Sequence, residues 1–372
     1  MDPGWLVLPG LIIWSAMLLL PWRPWSTRER FDANPAQRID LSNVTVLIPA
    51  RNEAHIITGT LDALQQQGSA LRVIVIDDNS TDDTHSAALR TVLSNLTIIT
   101  GEALPPEWSG KLWALEQGRR IADTGYLLLL DADIRLQPGT ISCLLEKLQR
   151  EGLQMLSLMA QLRMVTLWEK LLMPAFIFFF KLLYPFHIAN SKSKVIAAAA
   201  GGCILIDATS LAKIGGFAVL RSALIDDCAL ARHIKNNGGR TWIGLTHSAI
   251  SSREYNDLGS VWKMVARTAF TQLQHSVFLL GVCTLAMVCA FVLPVITLFG
   301  AGLYLYLAVL TMVLMAAGYL PTLKFYGMEM YWALFLPVIG IIYLLMTWHS
   351  AISHWRGTGA IWKDRTYRGY SV

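Results

Sequence analysis

Asp131-Ala132-Asp133 closes a run of four leucines, Leu127 to Leu130, and sets two carboxylates one residue apart at the end of an apolar segment. Hard oxygen donors so arranged suit Mg²⁺ or Mn²⁺, which keeps open positions that substrate phosphates fill. Aspartates are also common in solvated turns, so the spacing alone does not separate the two readings. Further acids stand at Asp77-Asp78 and Asp226-Asp227. A cation on Asp131 and Asp133 would neutralise a departing diphosphate. A carboxylate such as Asp227, within hydrogen-bond reach of an acceptor hydroxyl, would serve as general base. Lys111, at the start of an expected helix, would add its charge to free backbone amides and meet phosphate. The plain alternative for Asp226 and Asp227 is acidic charge set against a helix dipole.

Such groups act together only if the chain brings them together. The leucine run reads as a strand buried on both faces. Asn43 to Pro49 and Leu71 to Ile76 read as two more, each followed by a polar turn and a periodic helix, and Leu96 to Ile99 as a fourth. This β-α-β-α order predicts a mostly parallel sheet with helices on both sides. The strand ends at Pro49 and Asp77 then fall on the same edge as Asp131, where α/β folds bind their ligands. Lys111 opens a helix to about Ala122, Pro138-Gly139 starts another, and Gly201-Gly202 precedes a short strand.

With 54% hydrophobic and only 15% charged residues, the chain is too apolar for an ordinary soluble enzyme. Trp5 to Pro21 is uncharged and reads as a first span with tryptophan anchors, and the arginines that follow place the next domain in the cytoplasm. Val277 to Leu320 is long enough for two spans and Tyr331 to Trp348 for a third. Three spans would leave the tail outside, whereas Arg356, Lys363, Arg365 and Arg368 argue for a tail inside. A re-entrant turn at Pro337 and Gly340 would reconcile them and predicts a cytoplasmic tail. Met164 to Ile188, interrupted by charges and prolines, reads as a pair of helices lying on the membrane face.

The domain reading is therefore residues 1–40 as membrane anchor and basic linker, 41–275 as a cytoplasmic α/β domain with interfacial helices at about 164–188, 276–350 as membrane segments and 351–372 as a basic tail. The net charge of +5, without a dense Lys/Arg cluster, argues against nucleic acid as partner. Five cysteines lack metal-ligand spacing and read as small apolar residues. His55, His85, His187, His233 and His247 share no ligand spacing either. Ser80 and Ser109 lack a nucleophile-elbow context. Phe176 to Phe180 reads first as a packing stripe and second as the wall of a lipid path.

The motifs in order are Pro49-Ala50-Arg51-Asn52-Glu53, Asp77 to Asp82, Gly110-Lys111, Asp131-Ala132-Asp133, Gly201-Gly202, Gly215-Gly216-Phe217 and Asp226-Asp227. Together they resemble the family 2 glycosyltransferases of GT-A fold, from about Val44 to Phe270. The flanking apolar segments and the closing Trp362-Lys363-Asp364-Arg365-Thr366-Tyr367 look most like the membrane-bound members associated with hopanoid biosynthesis. Ceramide and carotenoid glycosyltransferases are similar. The resemblance implies that Pro49, Asn52, Glu53 and Asp78 surround the nucleoside of a nucleotide-sugar, with a uridine diphosphate-sugar as donor. It implies that Asp131 and Asp133 hold a divalent cation, Asp133 more directly, and that Asp227 is the catalytic base. Asp226 stands where the family usually has Glu, and Gly202, Asp226 and Lys111 join the substrate-binding set. The family's Gln-x-x-Arg-Trp reads Met264-Val265-Ala266-Arg267-Thr268 here. Only Arg267 survives as a partner for the diphosphate, and the missing tryptophan argues against a processive polysaccharide synthase.

The expected function is inverting transfer of one sugar to a hydroxyl of a membrane lipid, in the inner cell membrane, with the catalytic domain cytoplasmic. Two alternatives stand beside it. Transfer to a polyprenyl phosphate would need no base, and a non-catalytic membrane-anchored scaffold would bind nucleotide without turnover.

Overall fold

The structure is a computed structural model that describes residues 3–37, 39–68, 70–221, 223, 225–357, 360–362 and 365–367. Arg38, Lys363 and Arg368, counted above among the basic residues of linker and tail, lie outside the described residues, as does Asp364. The chain forms two compact units, one of Glu29–Arg163 with Phe186–Glu254, the other of Met1–Arg28, Met164–Pro185 and Tyr255–Val372.

The first unit is built on one eight-stranded sheet. Its strands are β1 (Val44–Ala50), β2 (Arg72–Asp77), β3 (Leu96–Thr100), β4 (Tyr126–Leu130), β5 (Ile134–Leu136), β6 (Met155–Gln161), β7 (Cys203–Asp207) and β8 (Thr241–Ser251), in the spatial order β3-β2-β1-β4-β7-β6-β8-β5. Pairing is parallel from β3 to β4 and between β6 and β8, and antiparallel for β4–β7, β6–β7 and β5–β8. The leucine run is uniform because both of its faces are covered. Leu128 and Leu130 enter one apolar core, with Val46, Ile48, Val73 and Val75, whereas Leu127 and Leu129 enter the opposite one with Leu47, Ile74 and Ile76.

Register decides what lies at the edge of this sheet. Parallel pairing sets Ala50 opposite Asp77 and Leu47 opposite Leu129, so three successive loops leave from one side. Antiparallel pairing of β4 with β7 puts Leu130 opposite Cys203, which brings Gly201-Gly202 to the same end from the other chain direction. The helix Gly110–Ile121 starts at that edge, capped by the Ser109 hydroxyl, which accepts from the Leu112 amide at 3.3 Å. Asp226–Asn236 begins with its two acids in the first turn.

The second unit is helical. Among the described residues three of its helices are long and apolar enough to cross a membrane: Val277–Thr297, Leu303–Phe325 and Met330–Trp355. The N-terminal helix, expected as a first span, is shorter, running from Gly4 to Leu19. At about 1.5 Å per residue that is roughly 24 Å, below the ~30 Å hydrocarbon thickness. Its Trp14 is buried, donates from Nε1 to the Ala290 carbonyl at 2.9 Å and packs on Phe178 and Phe291.

One expectation is corrected here. No re-entrant turn forms at Pro337 and Gly340, because the helix Leu336–Trp355 is continuous. Pro337 occupies its first turn, where a missing amide costs nothing, and Gly340 lies flat against Phe291, whose ring a Cβ would meet at 2.5 Å. The segment from Met164 holds two helices, a long one, Leu167–Leu183, which runs through Pro174, and a short one, Phe186–Ala189. A capping box of Thr166 and Glu169 starts the first, and the second belongs to the sheet unit. Phe178 and Phe179 of the aromatic run pack on Tyr319, Phe291 and Tyr343, which supports the stripe reading for those two.

Candidate active site

The turn after β1 is held by the turn after β2. Asn52 and Asn79 both adopt φ of 53°, a left-handed conformation that asparagine tolerates better than most residues. The Asn52 amide donates to Ser80 Oγ at 3.0 Å, and Asn52 Oδ1 accepts from the Thr81 amide at 2.8 Å. Arg51 donates to the Asp78 carbonyl at 2.6 Å, and the Asp78 amide donates to Ala50 at 2.8 Å. Pro49, opposite Ile76 in β1, and buried Asp78 thus sit in one rigid polar rim.

Asp133 is joined to that rim by a residue outside the sequence motifs. Arg253, two residues past β8, donates to Glu53 Oε1 at 2.7 Å and lies 3.5 Å from Asp133 Oδ2. Ser251 donates to the same Oδ2 at 2.7 Å, and the Ser252 amide donates to the Asp133 carbonyl at 2.8 Å. The Asp133 side chain is 10% exposed, against 33% for Asp131. Asp133 is the deeper of the pair.

On the other side of the same turn, Lys111 Nζ stands 2.6 Å from Asp131 Oδ1 and donates to the Gly201 carbonyl at 3.2 Å. The Asp131 amide donates to the Gly202 carbonyl at 3.0 Å. Gly201 is closely approached: a Cβ there would lie 3.3 Å from both Asp227 Oδ2 and Lys111 Nζ. At the start of the last helix the Asp227 amide donates to Asp226 Oδ1 at 3.1 Å, and Asp227 Oδ1 accepts from the Cys228 amide at 2.7 Å. Contacts therefore run unbroken from the Ser80 turn through Glu53, Arg253, Asp133, Asp131 and Lys111 to Gly201 and Asp227.

Four charges packed this closely shift one another. Burial opposes charge on Lys111, but Asp131, Asp226 and Asp227 hold its ammonium above the ordinary lysine range. Asp131 is raised by burial, with Lys111 pulling it down and Asp133 and Asp226 pushing it up. Burial and the Asp226 charge push Asp227 up to about 6, against the Cys228 and Gly201 amides and Lys111. A carboxylate so tuned accepts a proton near neutrality more readily than a free aspartate.

Arg267 falls in the helical unit, at the end of Leu258–Ala266, where its amide donates to the Lys263 carbonyl at 3.2 Å. Sequence reading missed Ser251 and Arg253, which follow no motif, and Glu116. Glu116 is buried, chelated by Arg119 at 2.9 and 2.7 Å, and accepts from the Phe217 amide at 3.2 Å. It moulds the Gly215-Gly216-Phe217 turn onto the Lys111 helix. Gly216 has φ of 68°, and a Cβ on it would meet Arg119 Nε at 2.9 Å.

Among the described residues no group of three or more His, Cys, Asp or Glu side chains gathers as a metal cage. Asp131 and Asp133 offer two carboxylates in one turn, which suits a hard cation that completes its shell from diphosphate and water. The donor set thus fits a cation shared with substrate.

Comparison with known proteins agrees with this geometry. Residues 45–215 match the model of the family described as glycosyl transferase family 2. That stretch is similar to the glycosyl transferase family 2 domain. The chain resembles 4,4'-diaponeurosporenoate glycosyltransferase of Staphylococcus aureus (strain bovine RF122 / ET3-1), at 33% identity over 30% of this chain and 29% of the relative. The enzyme of the same name from Staphylococcus haemolyticus is 33% identical over 25% of each chain. The matched stretch thus spans less than a third of these relatives' length. The mannosyltransferase PcManGT from Pyrobaculum calidifontis, solved in complex with GDP-Man and Mn²⁺, matches 94% of this chain and 98% of its own with a TM-score of 0.57 at 19% identity. That likeness establishes a GT-A-like fold for this chain.

Proposed function

We propose that the protein transfers one sugar from a nucleotide-sugar to a hydroxyl of a membrane lipid, with inversion at the anomeric carbon. The observation that carries this is the Gly201 cradle, where the half-buried Asp227 carboxylate and the Lys111 ammonium approach the same backbone position from different elements. Asp227 takes the proton of the acceptor hydroxyl. The freed oxygen attacks the anomeric carbon from the face opposite the nucleoside diphosphate, which leaves as its bond breaks. Lys111 meets the negative charge that develops on the leaving diphosphate. Pro49, Asn52, Glu53 and Asp78 hold the nucleoside, while Gly202 and Asp226 border the donor. Asp131 and Asp133 would hold a divalent cation, which would supply further charge neutralisation to the diphosphate.

The three long apolar helices and the acceptor named for the staphylococcal relatives support a lipid-like acceptor. We assign a polycyclic hopanoid-type alcohol as that acceptor, and multi-pass placement in the inner membrane with the sheet unit cytoplasmic. Mass spectrometry of lipids from cells carrying the wild-type chain or Asp227→Asn tests the reading. The expected result is one glycolipid, heavier than its parent by a single sugar, present with the wild type and lost with the variant. No glycolipid from the wild type, with nucleotide still bound, would favour the scaffold. Full product from Asp227→Asn would favour a polyprenyl phosphate acceptor, which arrives ionised.

A further inference from the structure

We infer that Ser251 and Arg253, at the end of β8, are positioning residues that fix Asp133 so that one carboxylate oxygen, Oδ1, is presented for cation binding. The inference rests on the metal reading proposed above and concerns residues that no motif covers.

An aspartate on a turn can rotate and offer either oxygen, and a ligand free to rotate pays entropy each time a cation binds. Here one oxygen is committed. Ser251 Oγ donates to Oδ2 at 2.7 Å, Arg253 Nε lies 3.5 Å from the same atom, and among the described residues no hydrogen bond or ion pair falls on Oδ1. The backbone is fixed too. β5 pairs Ile134 with Ser251, and the Ser252 amide donates to the Asp133 carbonyl at 2.8 Å. The carboxylate and its two clamps therefore move as one body.

Arg253 has a second partner that makes the arrangement directional. Its Nη2 donates at 2.7 Å to Glu53 Oε1, on the turn after β1. Glu53 is 4% exposed, and its amide donates to Thr84 Oγ1 at 2.8 Å, so the guanidinium is braced against a fixed point. Planar and always charged, it spans two carboxylates in a way that a lysine ammonium reproduces poorly. Outer partners of this kind orient metal ligands, and their loss typically costs about 10- to 100-fold in metal affinity. The contribution acts through Asp133, whatever the chemistry of the acceptor.

Binding of Mn²⁺ alone to the full-length chain in nanodiscs, followed by the electron paramagnetic resonance of free Mn²⁺, tests this without turnover. Ser251→Ala and Arg253→Gln are expected to weaken Mn²⁺ binding about 10- to 100-fold, with Arg253→Lys in between. Asp133→Asn serves as reference and is expected to lose the site. Wild-type affinity in both Ser251→Ala and Arg253→Gln, with Asp133→Asn defective, overturns the positioning role and leaves the metal reading standing. Wild-type affinity in Asp133→Asn, or no binding by the wild-type chain, overturns the metal reading and this inference with it. Should Arg253→Gln lose its unfolding transition, Ser251→Ala decides alone, since it removes one hydroxyl and no charge.

Discussion

Lys111 and Asp131 form a 2.6 Å ion pair in which the lysine also reaches across to the Gly201 carbonyl, tying the helix start to both β4 and β7. The ammonium thus spends its hydrogen bonds on two sheet strands while remaining 22% exposed. Lys111→Met is expected to lower kcat/KM by about 100-fold, the usual loss when one preorganised donor to developing charge is removed. Lys111→Arg should not restore it, because a fork of planar donors does not fit the space of a single ammonium between Asp131 and Gly201. Steady-state kinetics with varied nucleotide-sugar checks both.

A base works only when ionised, and Asp227 is pushed up to about 6. Turnover should therefore climb as pH rises through that region and level off above it. Asp227→Asn should remove this acid limb and at least about 100-fold of the rate. Nucleotide binding should persist, since the variant keeps its shape and its amide partner. A pH–rate profile beside a nucleotide titration separates the two effects.

Gly201→Ala tests how tightly the cradle is built. Its methyl would reach 3.3 Å from both Lys111 Nζ and Asp227 Oδ2, so one of them must retreat by a few tenths of an ångström. Such a displacement of reacting groups is expected to lower kcat by about 10-fold. The thermal unfolding midpoint should stay near that of the wild type, and a large drop there would refute the steric account.

Glu116 predicts a loss of stability rather than of chemistry. Glu116→Ala strands Arg119 and the Phe217 amide and should cost about 2 kcal/mol. In a unit of this size that lowers the unfolding midpoint by roughly 5 °C. Glu116→Gln keeps an acceptor for Phe217 and should lose less. Thermal unfolding in detergent resolves the series.

β1, β2 and β4 are readable from sequence because they are buried on both faces, so leucine, isoleucine and valine dominate them between turn residues. β3 is only half-buried, and its short apolar run between turns marks it instead. β6 and β8 are harder to see. Met155-Leu156-Ser157-Leu158-Met159-Ala160-Gln161 has no β-branched residue, and Thr241 to Ser251 mixes polar and apolar positions without strict alternation. Missing β8 hides Ser251 and Arg253, since their value lies in a pairing with β5 from more than a hundred residues away. Glu116 escapes notice because a Glu followed at i+3 by Arg looks like an ordinary solvated helix pair. The failed re-entrant turn shows a different limit. Proline breaks a helix only where an amide is needed, and Pro337 lies in the first turn.

The opposed directions of β4 and β7 set how this protein can change over evolutionary time. Asp131 and Gly201 are brought together by the backbone pairing of Leu130 with Cys203, so their alignment rests on main chain and not on which apolar side chains the leucine run carries. Volume-conserving swaps among those leucines can accumulate while the reacting atoms stay put. Loss or gain of one residue within either strand cannot be absorbed, because alternation turns every later side chain to the opposite face. Drift in letters is cheap here, whereas drift in length is forbidden.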